Sequence, residues 1–529
     1  MIRGSRAQTR RWFDGSGLAV LSGALLALSF PKFGHPACAW VALAPLLVAV
    51  ARTCGRAGPP APSRPVRRAF LLGLASGVVC FAGALYWLVD VMVIYGGLAQ
   101  PVALALAALL VTYLALYPAV FALIVGALWR RFGTWALALA PAVWVTTELG
   151  RATLLTGFPW ALLGASQATQ LPVAQLASVT GIYGVSALVA FGSAAAAMAA
   201  TGRGPRRIAA PASIVILILI VAAWGRTRIA SGDLTGQGTP VRVGLVQGNF
   251  AQDIKWEASL VPVILDRYLR LSAETMARGA QLVVWPESSV PFYLLGDPAR
   301  AEAIRQLARA GRVHMLLGSD EYEQRTGSGG EPSEVRFYNS AFMLRPDGEV
   351  SGVYRKMHLV PFGEYVPLKR LLFFVAPLVQ AVSNFSAGDR PAVLLVDGHR
   401  ASTAICYEVI YPGLIRRFVS EGSELLTAIT NDAWFGRSSA AYQHFEQASM
   451  RAVEQGRYLV RAANTGISGV VDPYGRVLER TNLFETSTVV REVRFLRGRT
   501  IYSRIGDVVA YLCLVITAAA VAFAFARRN

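Results

Sequence analysis

Apolar and polar positions are unevenly distributed along the chain. Before residue 225 and after residue 507, long apolar runs follow one another with only short polar breaks. About 20 apolar residues cross a bilayer core. Eight runs read as spans: Gly17–Phe30, Pro36–Ala51, Ala69–Val89, Leu98–Trp129, Thr134–Thr147, Thr180–Ala200, Ile208–Trp224 and Val508–Ala526. The turn-like Pro31-Lys32-Phe33-Gly34-His35 separates the first two. Leu98–Trp129 is longer than one untilted helix needs and too short for two, so it reads as one long helix with Pro118 as the place for a break. The first run lacks the flanks of a cleaved signal peptide.

Between these runs the pattern changes. Short β-rich segments (Val241–Val246, Gln281–Trp285, His314–Gly318, Ala341–Leu344, Ala392–Val396, Ser402–Ile405, Leu425–Thr430, Leu459–Ala463 and Gly469–Val471) occur with helical ones, Leu260–Arg278 and Ala299–Ala310, among the first of them. Leu344–Val350 and Val471–Val477 carry the Pro, Asp and Gly residues of hairpin turns. Strands alternating with helices argue for a layered α/β domain. The expected organisation is therefore seven transmembrane helices in residues 1–225, a water-exposed α/β domain in 226–505, and an eighth helix with a short tail in 506–529.

Composition agrees with that division. Of 529 residues, 54% are hydrophobic and 16% charged, against about 45–50% and about 25% in soluble chains. The formal charge of +19 raises the question of nucleic acid. The arginines, however, cluster between apolar runs, as cytoplasmic loops require, and neither zinc-finger spacing nor a basic helix with interleaved aromatics is visible. No nucleic-acid partner is expected. The Arg-rich segments (residues 3–11, 52–68, 130–131, 203–207 and 527–528) alternate with Arg-poor ones, which places both termini in the cytoplasm and residues 226–505 outside it, in the periplasm of a two-membrane bacterium. A missed or extra span would reverse that side. No metal cluster or nucleotide loop is visible, so no metal or cofactor is expected, and a monomer suffices.

The chain has five cysteines, and only Cys406 lies in the water-exposed region, which excludes an internal disulfide there. Glu287, Lys356 and Cys406 each follow or interrupt a β-rich run, where a rigid sheet can aim side chains into one crevice. Together they suit nucleophilic catalysis: a carboxylate to take the thiol proton, an ammonium to stabilise thiolate and oxyanion. Taken singly, each has an ordinary structural explanation, a core cysteine or a solvated charge, and spacing alone does not decide.

The flanking motifs carry a resemblance. Val246-Gln247-Gly248-Asn249 with Lys255-Trp256, Trp285-Pro286-Glu287-Ser288, Tyr354-Arg355-Lys356, Leu359 through Pro367, Ile405-Cys406-Tyr407-Glu408 and Thr430 through Gly436 resemble the nitrilase, or carbon–nitrogen hydrolase, superfamily. With Glu148, Arg151, Thr156–Trp160 and Gly181–Ser186, nearly the whole chain resembles the apolipoprotein N-acyltransferase family. Departures fall only in loops, such as Thr326–Pro332.

The resemblance implies an αββα sandwich beside the membrane bundle and a Glu287–Lys356–Cys406 triad. It implies acyl transfer in two steps, from a membrane phospholipid (the sn-1 chain of phosphatidylethanolamine) to Cys406, then to the α-amino group of a diacylglyceryl-cysteine apolipoprotein. The spans would hold the site at the depth of the ester. Glu364 and Glu408 would orient Lys356 and the triad, Trp256 and Tyr407 would hold acyl chains or order the pocket, and Trp434 and Phe435 would form a lid. Ordinary packing is the competing account for these aromatics, and an interfacial ion pair for Glu148 and Arg151. A membrane-tethered amidase would use the same triad with water as acceptor; a non-enzymatic receptor would not need Cys406 at all.

Overall fold

The computed structural model describes residues 2–55, 65–202, 204–252, 257–326, 332–361, 363–365 and 385–526. The chain divides into two compact units, one of Met1–Val89, Gln100–Ser231 and Ile505–Asn529, the other of Asp90–Ala99 and Gly232–Arg504.

The first unit is helical. Among the described residues six helices are long and apolar enough to cross a membrane: Pro36–Cys54, Pro65–Ala84, Gln100–Phe132, Ala177–Thr201, Arg207–Gly236 and Val508–Ala526. Two of the eight expected spans fall short by length or composition. Gly15–Ala27 is the shorter apolar part of helix Ile2–Ala27, and Trp135–Thr153 is diluted by Glu148 and Arg151. The long run does not break at Pro118; Gln100–Phe132 is one helix of 33 residues. It is held where Pro118 sits, because Gly73 and Gly77 of helix Pro65–Ala84 let the two backbones touch. A Cβ on Gly73 would lie 2.3 Å from the Pro118 carbonyl oxygen, and one on Gly77 2.7 Å from Ala115 Cα. This is the small-residue spacing by which apolar helices pack closely.

Glu148 and Arg151 are both buried and grip the loop that follows their helix. Glu148 Oε1 accepts from the Leu163 N–H at 2.6 Å. Arg151 Nη1 donates to the carbonyls of Phe158 and Trp160 at 2.9 and 2.5 Å. Burial replaces the interfacial setting that their spacing suggested.

The second unit holds two six-stranded sheets. One orders β12 (Ser487–Phe495), β1 (Thr239–Gln247), β2 (Leu282–Val284), β3 (His314–Thr326), β4 (Pro332–Leu344) and β5 (Val350–Arg355). The other orders β11 (Val477–Arg480), β10 (Gly469–Val471), β9 (Leu459–Ala463), β8 (Leu425–Thr430), β7 (His399–Ile405) and β6 (Leu394–Val396). Each sheet has three parallel strands at its centre, β1-β2-β3 and β7-β8-β9, with antiparallel strands outside. Parallel neighbours require helical crossovers. These are α1 (Val261–Ala277) and α2 (Pro298–Gly311) in the first sheet, α3 (Pro412–Ser420) and α4 (Ala440–Gln455) in the second. Residues of α1 and α2 (Ile264, Tyr268, Ala301, Ile304) share one apolar core with Val246, Val283, Trp285 and Met315 of their sheet. With β1 packed on β9 and β5 on β6, the layers are helix, sheet, sheet, helix, the αββα arrangement expected.

Candidate active site

Ligand sites in such sheets lie beyond the carboxyl ends of the parallel strands. Glu287 lies three residues past β2, Lys356 directly follows β5, and Cys406 directly follows β7. The structure brings all three together. Lys356 is buried, with Nζ 2.9 Å from Glu364 Oε1 and 3.5 Å from Glu287 Oε1. The charges of both Glu287 and Lys356 act on the Cys406 thiol, and the Thr430 hydroxyl hydrogen-bonds to it.

Glu287 accepts from nitrogen donors. Asn339 Nδ2 donates to Oε1 at 2.8 Å, and the Asn431 backbone N–H donates to Oε2 at 2.9 Å. Asn339 Nδ2 also donates to Glu364 Oε1 at 3.0 Å, and the Val360 N–H donates to Glu364 Oε2 at 2.8 Å. One amide and one ammonium therefore bridge two carboxylates.

Electrostatics follow from this packing. Burial by itself lowers the Lys356 pKa, but the Glu364 and Glu287 carboxylates more than offset it and keep the ammonium well above its ordinary value. The Cys406 pKa is raised, first by burial and then by Glu287, with Lys356 opposing. The resting group is thus a thiol, and a base beside it is needed to form the nucleophile. His358, two residues after Lys356, is pushed down to about 4 by burial and by the Lys356 charge.

The backbone at the site is strained. Cys406 has φ +53° and Ser288, next to Glu287, φ +44°. Such conformations cost a side-chain-bearing residue about 1–3 kcal/mol and persist where the surroundings enforce them. Glu408 supplies part of that enforcement. It is fully buried and takes four donors. Its Oε1 accepts from Tyr354 Oη, Met357 N and His358 N at 2.7, 2.7 and 3.0 Å, and its Oε2 accepts from Ile405 N at 2.8 Å. Glu408 therefore ties the turn bearing Cys406 to the segment bearing Lys356, and is no solvated carboxylate.

The aromatic candidates divide. Tyr407 is buried, its ring 5.3 Å from that of Tyr411. Trp434 and Phe435 form a short helical turn after β8. Trp434 is 37% exposed and meets the Tyr95 ring edge-on at 5.2 Å, while Tyr95 Oη donates to the Ala433 carbonyl at 2.8 Å. Phe435 lies against the His444 ring at 5.8 Å. Trp256 lies outside the described residues. Asn339 was not anticipated from sequence, although alternation backwards from Ala341–Leu344 places it on the strand face shared by Ala341 and Met343. Among the described residues no group of three or more His, Cys, Asp or Glu side chains could hold a metal ion.

A Glu–Lys–Cys set at the strand ends of an αββα sandwich defines a hydrolase-type domain of the nitrilase superfamily, and residues 242–501 match the carbon–nitrogen hydrolase family. Residues 22–195 match the apolipoprotein N-acyltransferase N-terminal domain. The chain is 42% identical over 518 residues to the apolipoprotein N-acyltransferase of Geobacter metallireducens, covering 97% of this chain and 95% of that one. It is 34% identical to that of Shewanella oneidensis with the same coverage. An amidase from Nesterenkonia sp. is similar at 21% identity and a TM-score of 0.38, over 52% of this chain and 97% of that one. The chain belongs to the apolipoprotein N-acyltransferase family and is a membrane-integral acyltransferase.

Proposed function

We propose that the chain transfers an acyl group by way of Cys406, from a membrane phospholipid to the α-amino group of a lipoprotein's diacylglyceryl-cysteine. The observation that carries this reading is the convergence of the Glu287 carboxylate and the Lys356 ammonium on one thiol whose pKa is raised. Glu287 takes the thiol proton as general base. The thiolate attacks the ester carbonyl of the donor, the sn-1 chain of phosphatidylethanolamine. Lys356 and the Tyr407 backbone N–H stabilise the oxyanion. A C–S bond forms and the ester C–O bond breaks; the lysophospholipid oxygen leaves with the proton from Glu287. In the second half, the acceptor amine attacks the thioester. An amide forms, the C–S bond breaks, and the amine's proton returns the thiol through Glu287. Ping-pong kinetics follow.

Glu364 and Glu408 act through Lys356 and the nucleophile turn. Residues 226–505 lie on the periplasmic side and both termini in the cytoplasm. This topology is supported by the alternation of Arg-rich and Arg-poor segments.

Intact-mass spectrometry of protein purified from membranes tests the chemistry. An increment of one acyl chain, removed by hydroxylamine and missing from Cys406→Ala, is expected. Addition of a lipopeptide with a free amino terminus should discharge it with amide formation. Release of free fatty acid with the lipopeptide unmodified would defeat the reading in favour of a hydrolase.

A further inference from the structure

The turn that carries Cys406 is held a second time, by residues to which the acyl-transfer steps assign no role. β7 and β8 run parallel with Ile405 opposite Ile429, so Cys406 and Thr430 leave adjacent strands side by side. Thr430 Oγ1 lies 2.8 Å from Asp432 Oδ1. Arg461, on β9, donates through Nη2 to Asp432 Oδ2 at 2.8 Å, and the same nitrogen lies 3.0 Å from His444 Nδ1. His444, on α4, points its Nε2 at the backbone carbonyl of Cys406, 3.2 Å away. Thr430, Asp432, His444 and Arg461 are all buried to within 1%.

The partners fix one end of the His444 ring. A carbonyl oxygen can only accept, so Nε2 carries a hydrogen; Nδ1 lies 3.0 Å from the Arg461 guanidinium and 3.0 Å from Asp432 Oδ1. Burial and the Arg461 charge both favour the neutral ring, against the pull of Asp432. Thr430 and Arg461 supply Asp432 with donors at both oxygens, so the carboxylate does not need the imidazole proton.

We propose that His444, seated by Arg461 and Asp432 with its Nε2–H donating to the Cys406 carbonyl, is a positioning residue for the nucleophile. By holding the Cys406 carbonyl it keeps the φ of +53° that aims Sγ at an incoming carbonyl carbon and the following peptide N–H at its oxygen. The proposal rests on Cys406 being the nucleophile of the acyl transfer.

Two isosteric substitutions separate this role from packing. The amide nitrogen of His444→Gln reaches the place of Nε2, whereas that of His444→Asn reaches only the place of Nδ1. Full-length protein in detergent–phospholipid micelles is assayed for Cys406 alkylation by iodoacetamide, with Cys406→Ala as the blank, and for kcat and KM of acyl transfer to a lipopeptide. His444→Asn should lower both the alkylation rate and kcat on the order of a hundredfold, the penalty of a misplaced reacting group, with KM unchanged. His444→Gln should stay within about threefold of the wild type, since it restores the same hydrogen bond. Equal losses in the two variants, or wild-type alkylation in His444→Asn, would overturn the proposal.

Nitrogen-15 NMR of histidine-labelled wild type provides a test that needs no variant to fold. The chain has five histidines; a His444 ring that carries its hydrogen on Nδ1 alone near neutral pH would also overturn it. Wild type that never forms a lipid-derived thioester, yet shows the Gln/Asn contrast in alkylation, would sink the acyl-transfer reading and leave the positioning role standing.

Discussion

Single side chains at the site do opposed work on one sulfur, and their removal separates reactivity from turnover. Glu287 raises the Cys406 pKa and Lys356 lowers it. Glu287→Gln therefore increases the thiolate fraction at neutral pH, and Cys406 alkylation by iodoacetamide should become faster while acyl transfer is lost. Lys356→Met works in the other direction: the thiol pKa moves further up, and alkylation and turnover should both slow. Equal alkylation rates in the two variants would refute this balance of charges. Asn339 is the less obvious member. Its Nδ2 donates to both Glu287 and Glu364. Orphaning buried charged acceptors costs about 1–3 kcal/mol, so Asn339→Ala should slow thioester formation by roughly tenfold to a hundredfold, read by quenched-flow mass spectrometry.

Elements, more than residues, explain what the sequence could and could not reveal. Strands β8 and β9 are largely apolar, and β7 ends in the β-rich Ser402–Ile405, so their positions, and that of Cys406 at the end of one, were legible. β12 was not: Ser487–Phe495 exposes one face, and Arg491, Glu492 and Arg494 interrupt its apolar pattern. The hairpin of β3 and β4 runs to Thr326 and resumes at Pro332, where the sequence reads as loop, because backbone pairing sustains strands whose side chains face water. α4 defeats periodicity for the opposite reason. Nearly all its residues are buried, polar ones such as Gln443, His444, Arg451 and Glu454 included, so its polar positions do not mark a solvent-facing side. The role of Glu408 was legible only as adjacency to Cys406; that it clamps two segments depends on three backbone N–H groups, which no side-chain pattern encodes. Glu408→Ala leaves those donors buried and unpaired and should destabilise the fold by at least about 3 kcal/mol. A lower thermal midpoint in detergent, with Cys406 alkylation impaired before unfolding, is the expected result.

Whole-molecule behaviour is set by burial and by topology. Glu446 on α4 is mostly buried, which lifts its pKa from the ordinary 4.5 to about 7 against the opposing charge of Arg480. A carboxyl whose folded pKa is raised contributes stability that is complete below about 4.5 and is lost as pH rises through about 7. The thermal midpoint of the wild type should fall across that window relative to Glu446→Gln, and parallel curves for the two proteins would contradict it. Topology is testable on Leu395, an exposed residue of edge strand β6. In a Cys406→Ala background, Leu395→Cys should react with a membrane-impermeant maleimide from the periplasmic side of intact spheroplasts. Labelling only after lysis would invert the orientation.

The pairing of β1 with β12 has a consequence for biogenesis. Residues 239–247 are zipped along their whole length to residues 487–495, so the sheet that carries Glu287 and Lys356 is sealed by a segment made long after its first strand. Cys406, in the other sheet, is synthesised some eighty residues earlier. A nascent chain thus holds its sulfur before the acid–base half of the site has a closed edge. A chain truncated before residue 487 lacks the partner of β1 and should form no acyl adduct on Cys406 by intact-mass spectrometry.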